Sequence, residues 1–312
     1  MKIRNSVYGL ILFFSLCLIL SILLSCEGRK SSEQESKTNS PPAVTSVTIQ
    51  PEKAYKGNEL NLAIESNDPD RDLVTYRYQW IKNDQEILGE NNISLKGDRF
   101  QKGDRIQVRV IPSDGKMEGP PFLSSQIRIL NSPPVIQEVW IEPQSAFVSE
   151  SLQANARSLD SDGDFVYYTF QWEKNAQVMP DETSQVLDRT RFKKRDSIAV
   201  SVIPDDRETE GARKRSVPVV VLNSPPTITS SPPTSVTGTT YQYQVAPFDA
   251  DQDPIIFALK AGPKGMVLDQ RTGLLRWEFR KEDKGTQPVE IEVADNEGAK
   301  STQRFTLIID FK

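Results

Sequence analysis

At 312 residues, with 38 basic residues against 43 acidic ones, the chain has room for two or three domains and carries a net charge of -5. That balance leaves no basic surface of the size phosphate backbones require, so no nucleic-acid partner is expected. Histidine is absent, which removes Ser-His-Asp triads, Cys-His pairs, His-ligated zinc and most general-base chemistry at neutral pH. A non-enzymatic protein is the expectation.

The N-terminus reads as a targeting segment. Lys2 and Arg4 precede an apolar run from Val7 to Leu24 that closes in "LLSC" at Leu23–Cys26. A basic start followed by an apolar stretch is the pattern of a secretory signal, although roughly 18 apolar residues would also just span a bilayer. The ending resembles a bacterial lipobox, where a signal peptidase cuts before a cysteine that then carries lipid. That resemblance implies a signal peptide over 1–25 and lipidation at Cys26, with small Ser25 before it. Either way the chain is expected to be membrane-attached. Glu27 stands where an Asp would mark inner-membrane retention, so the resemblance implies the outer membrane, on its periplasmic or surface face. Cys17 lies in the removed segment and Cys26 is consumed by acylation, so no disulfide is expected. Residues 26–38 are polar and read as a flexible tether.

Beyond the tether the chain is periodic. The string "NSPP" begins at Asn39, Asn131 and Asn223, and both intervals are 92 residues. Laid over one another without gaps, residues 39–130 and 131–222 share about 36 identities in 92 positions, which marks an internal duplication. The matches include Tyr76/Tyr168, Trp80/Trp172, Phe100/Phe192, Asp104/Asp196 and Pro112/Pro204. A third, diverged unit occupies 223–312.

Within the units the apolar residues alternate as in strands. "LVTYRYQW" puts Val74, Tyr76, Tyr78 and Trp80 on one face, and the copy offers Val166, Tyr168, Phe170 and Trp172. "RIQVRVIP" and "SIAVSVIP" do the same with Ile106, Val108, Val110 and with Ile198, Val200, Val202. Mid-strand Trp80 and Trp172 read as core rather than as a binding platform. "YQYQV", "VEIEV" and "RFTLII" continue the alternation in the third unit, and no segment past the signal shows sustained helical periodicity. The fold class expected is all-β: three tandem sandwiches of about 90 residues each. Paired prolines fix φ and push the preceding residue to extended backbone, so each "NSPP" reads as a short, stiff joint in a rod.

The motifs carry a family resemblance. "DPDRDLVTYRYQWIKN" followed by "FQKGDRIQVRVIPSDG" resembles bacterial Ig-like repeats of the PKD type, over nearly all of 39–130 and 131–222. "YQYQVAPFDADQDPIIFAL", "PKGMVLDQRTGLLRW" and "VEIEVADNEG" are similar to the bacterial cadherin-like, dystroglycan-type Ig domain. The resemblance implies surface or secreted proteins engaged in adhesion or spacing, some of them calcium-binding.

One constellation carries possible chemistry. Asp68, Asp70 and Asp72 alternate in the first unit, Asp160, Asp162 and Asp164 in the second, and Asp249, Asp251 and Asp253 in the third. Alternate carboxylates repel one another unless hydrogen-bonded or neutralised, and hard oxygen ligands suit Ca²⁺. In an Ig-type sandwich the last hairpin lies at the same end, bringing Asp114 with Glu118, Asp206 with Glu210, and Asp295 with Glu297. The expectation is Ca²⁺ at the loops of units two and three, with Asn131 and Asn223 close by and Asp104 and Asp196 contributing. The competing expectation is that the Asp residues only cap turns. Separately, Trp140 in "EVWIEP" alternates with Val139 and Ile141, which puts it on the outer face as a contact for a protein or glycan partner, or packed on a neighbouring unit.

The function expected is a lipid-anchored cell-envelope protein that presents Ig-like and cadherin-like sandwiches for adhesion or scaffolding. The alternative is a carbohydrate- or substrate-binding accessory module of an envelope enzyme or secretion complex. A carboxylate-dependent glycosidase would need a deep cleft that three small sandwiches do not offer.

Overall fold

The computed structural model describes residues 38–310 except 234, 235 and 237. The signal segment, Cys26 and all of the tether before residue 38 lie outside the described residues. Among the described residues no helix is long and apolar enough to cross a membrane.

Strands fall into three groups. The first holds β1 (Ala43–Gln50), β2 (Leu60–Asn67), β3 (Thr75–Lys82), β4 (Gln85–Glu86), β5 (Ser94–Leu95), β6 (Arg105–Ser113), β7 (Phe122–Leu123) and β8 (Ile127–Arg128). The second repeats it with β9 (Val135–Glu142), β10 (Leu152–Leu159), β11 (Tyr167–Lys174), β12 (Gln177–Val178), β13 (Val186–Leu187), β14 (Ser197–Asp205), β15 (Lys214–Arg215) and β16 (Val219–Val220). The third holds β17 (Thr227–Ile228), β18 (Thr240–Gln244), β19 (Pro247–Phe248), β20 (Ile256–Ala261), β21 (Val267–Leu268), β22 (Leu274–Glu278), β23 (Gly285–Ala294) and β24 (Lys300–Ile309).

The first group forms two sheets, β1-β2-β5 and β4-β3-β6-β7, with β8 also on β6; the second copies both, as β9-β10-β13 and β12-β11-β14-β15 with β16 on β14. The third group pairs β17-β19, β18-β22-β21 and β20-β23-β24. All pairings between these strands are antiparallel. The molecule is therefore a tandem array of Ig-like β-sandwiches.

The alternation seen in the sequence sets the layers. β6 buries Ile106, Val108, Val110 and Pro112 while the residues between them stay less buried, because successive side chains of a strand point to opposite faces. Each group closes over its own apolar cluster, and the described residues form no apolar cluster shared by two groups. Trp80, Trp172 and Trp277 anchor the three clusters. Each buried indole N–H finds a backbone carbonyl: Asn92 at 2.9 Å, Ser184 at 2.8 Å and Lys264 at 3.1 Å. These tryptophans are core, and their polar edges are satisfied.

What matters for function is where the chain crosses between sandwiches. The loop between β2 and β3, the hairpin after β6 and the segment preceding β1 meet at one end of the first sandwich. The same three pieces meet in the other two units.

Candidate functional site

Each "NSPP" is a clamp as well as a joint. The Asn39 amide donates to Asp114 Oδ2 at 2.7 Å, Asn131 to Asp206 Oδ2 at 2.7 Å, and Asn223 to Asp295 Oδ2 at 2.6 Å. The next backbone N–H takes the acidic loop: Ser40 donates to Asp70 at 2.7 Å, Ser132 to Asp162 at 2.6 Å and Ser224 to Asp251 at 2.6 Å. Asn and Ser thus hold hairpin and loop together, while the second proline of each pair is buried and the first is exposed. Gly119 and Gly211 face that buried proline. A Cβ on either would collide with the Pro42 or Pro134 carbonyl oxygen and with the Pro112 or Pro204 ring. Only glycine leaves room there.

The acidic loops use one carboxylate to build themselves. Asp68 Oδ1 accepts from the N–H groups of Asp70 and Asp72, Asp160 Oδ1 from those of Asp162, Gly163 and Asp164, and Asp249 Oδ1 from those of Asp251 and Asp253. This is Asx-turn geometry. It leaves other oxygens without a partner: Asp160 Oδ2, Asp162 Oδ1 and Ser132 Oγ at one joint, Asp249 Oδ2, Asp251 Oδ1 and Ser224 Oγ at the next. One oxygen from each of Asp160, Asp162 and Asp164 lies within 4.8 Å of the others, and the same holds for Asp249, Asp251 and Asp253. The Asp68, Asp70 and Asp72 loop does not form such a group.

A lysine from the preceding sandwich reaches into each joint. Lys102 Nζ donates to Asp164 at 2.5 Å, Glu208 at 2.8 Å and Asn131 Oδ1 at 2.9 Å. Ninety-two residues on, Lys194 Nζ donates to Asp253 and Glu297 at 2.5 Å each and to Asn223 Oδ1 at 3.1 Å. Arg195 adds a second contact to Glu297 at 3.0 Å. At the first sandwich Lys116, from that sandwich's own hairpin, donates to Asp72 at 2.6 Å and to Asn39 Oδ1 at 3.3 Å.

The electrostatics follow from these contacts. Hydrogen bonds from the ammonium to Asp164, then Glu208, hold the Lys102 pKa above its ordinary value, and Asp253, then Glu297, do the same for Lys194. Burial alone would push Asp206 and Asp295 up. Donors outweigh it, Asn131 with the Thr209 and Glu208 amides in one case and Asn223 with the Glu297 and Ala299 amides in the other, so both carboxyls sit below the ordinary range. At the joint between units one and two Lys102 pairs with Asp164 and Glu208 and lies in the field of Asp206, while Asp160 and Asp162 group with Asp164. Unpartnered buried oxygens beside several carboxylates are a donor set that a hard cation could use.

Not every residue expected at the joint is there. Glu210 is exposed, bridges Asp205 through its backbone, and makes no side-chain contact to the cluster. Its neighbour Glu208 does. Asp104 and Asp196 accept instead from Asn83 and Asn175 and from the amides of Gln101 and Lys193 within their own units. The side chain that crosses is two positions earlier. Trp140 is half-buried, donates to Glu142 at 3.0 Å, and lines an open groove of about 370 Å³ with Val217, Pro218 and Val220.

The joint lysines, Glu208, Gly119 and Gly211 escaped sequence reasoning. The identities Lys102/Lys194 and Gly119/Gly211 at the 92-residue stride were the signal available.

The family model described as "Putative Ig domain" matches residues 219–310. That span is the third sandwich with the joint leading into it. No curated protein sequence matches the chain. Among solved structures, Sidekick-1 immunoglobulin domains 1–5 align at TM-score 0.33 and 14% identity over 88% of this chain and 59% of that one. The chain thus spans 59% of that structure's length. The three N-terminal domains of the bacteriophage RB49 outer capsid protein Hoc align at TM-score 0.27 and 16% identity, over 86% of this chain and 100% of that one. Protocadherin gamma B2 extracellular cadherin domains 3–6 align at 0.25 and 14%, over 86% and 78%.

Proposed function

We propose that this chain is a non-enzymatic, lipid-anchored protein of the cell envelope that presents Ig-like sandwiches as a rod for adhesion or scaffolding. One observation carries this reading. Both joints are built from the same parts in the same register, an Asn clamp, a Ser amide clamp and a lysine from the preceding unit. A fastening repeated from unit to unit sets their spacing and angle, which is what a presenting rod needs. The lipobox-like "LLSC" supplies the attachment through Cys26, with the outer membrane as the proposed address.

Ca²⁺ belongs to this reading. Asp160, Asp162 and Asp164 with Asp206 would hold one ion, and Asp249, Asp251 and Asp253 with Asp295 another. The unpartnered buried oxygens support the fit, since Ca²⁺ takes roughly six to eight oxygen ligands. The ion would neutralise the excess carboxylates and stiffen the joint. A thermal melt in millimolar Ca²⁺ against EDTA tests it: a rise in Tm with Ca²⁺ is expected, and identical curves would remove calcium from the account. Protease accessibility on whole cells tests the envelope address.

A second reading has its own observation. The Trp140 groove, with Val217 and Val220 exposed beside the indole, suits a glycan or an apolar segment of a partner protein. Loss of a captured glycan or partner in Trp140→Ala would favour an accessory binding module.

A further inference from the structure

We propose that the acidic end of each sandwich is a socket for a lysine ammonium, and that Lys102 and Lys194 are the ligands by which each unit fastens the next. The argument has three parts. First, the contact recurs: both lysines reach an Asn of the linker, the last Asp of the loop and a Glu of the hairpin, with every donor–acceptor distance between 2.5 and 3.1 Å. Second, the lysines are partly buried: the Lys194 and Asp253 side chains are 19% and 10% exposed, and those of Lys102 and Asp164 26% and 35%, less open than an ordinary surface ion pair, which contributes little.

Third, one position changes charge with its neighbourhood. In units two and three the hairpin offers Glu208 and Glu297, which receive the incoming lysine. In unit one, which follows no other sandwich among the described residues, the residue equivalent to Glu208 is Lys116, and it fills the socket from within its own hairpin. Among the described residues, the sockets of units two and three are supplied from the preceding unit, and that of unit one is filled in cis. Without an ammonium the outer carboxylates would face one another unscreened.

The socket and the proposed calcium share Asp164 and Asp253, so the two cations are coupled. Removing the ammonium frees a ligand and deletes a repelling charge, which raises divalent-ion affinity about tenfold, a normal size for coupled sites. Only this last step rests on the calcium reading.

The test is an inter-unit distance distribution on the intact chain. Spin labels at exposed Asn61 and Gln153 report the first joint, and labels at Gln153 and Gln242 report the second. In EDTA the unsubstituted protein should give one narrow distribution at each joint. Lys102→Met should broaden the first joint and leave the second narrow. Lys102→Glu should broaden it further, and adding Glu208→Lys should narrow it again, which a folding defect would not do. Calcium titration of Lys102→Met then reads the coupling. A Lys102→Met distribution that superimposes on the parent in EDTA overturns the socket, as does a parent that is already broad. Absence of calcium binding in both proteins, with the EDTA results as expected, removes the ion and leaves the socket standing.

Discussion

Asn131 donates its side-chain amide to Asp206 across 75 residues of sequence, at 2.7 Å, and the same bond joins Asn39 to Asp114 and Asn223 to Asp295. An asparagine that looks like a turn residue is the pin that ties a linker to the hairpin of the sandwich it opens. Asp206 is buried, so its oxygen has little water to replace that donor.

Asn131→Ala should therefore cost the second sandwich about 1–3 kcal/mol, the penalty of a buried acceptor left without its donor. Urea unfolding followed by Trp fluorescence would measure it. Arg157→Ala, which removes an exposed donor to Glu138 in the same sandwich, should cost less.

Gly211 meets the backbone of Pro134, which cannot yield, so Gly211→Ala should destabilise the second sandwich by about 1–3 kcal/mol through overpacking. Gly262 is the control. A Cβ there would sit 3.1 Å from Met266 Sδ, the end of a flexible side chain, and Gly262→Ala should be nearly neutral. Equal effects at the two glycines would contradict the account of the joint.

Separate apolar clusters predict separable unfolding. Trp172 is fully buried in the second cluster, and Trp172→Ala should cost about 3–5 kcal/mol there. Calorimetry of the whole chain should show the second unit's transition moved to lower temperature, with the neighbouring transitions moved only by the loss of their joint contacts to it.

Acid should loosen the joints. The folded pKa values of Asp206 and Asp295 lie below the ordinary 3.8. Their contribution is present above that value and is lost as pH falls through the lower folded one. Lysines 102 and 194 are raised above the ordinary 10.5, so their contribution is complete below it and fades only as pH climbs past it. Stability should be flat near neutrality and fall at both extremes, with a shallower acid limb in Asp206→Asn. Melts across pH would show it.

Much of the fold is legible in the sequence because strand burial leaves a period-2 signature that a single chain displays. Trp80, Trp172 and the Ile106-Val108-Val110 face follow from it. The duplication is legible because drift has left the stride intact. The acidic ends were visible as alternating Asp, yet the crossing lysines were not. A lysine in a polar loop reads as solvated, and nothing in "FQKGD" or "FKKRD" says that a neighbouring module will stand where the side chain points. Likewise Glu208 and Glu210 are equivalent on paper. The hairpin register, with Asp205 opposite Glu210, is what sends Glu208 to the joint. The prolines of "NSPP" announced stiffness, while the Asn and Ser ahead of them did the fastening.

The most direct measurement is heteronuclear NMR of the lysine ammonium groups, whose protons are seen only when hydrogen bonds slow their exchange with water. In metal-free buffer, protected ammonium signals should be present, one disappearing in Lys102→Met and another in Lys194→Met. If neither substitution removes a protected signal, these lysines point into solvent and the joints are not built as described.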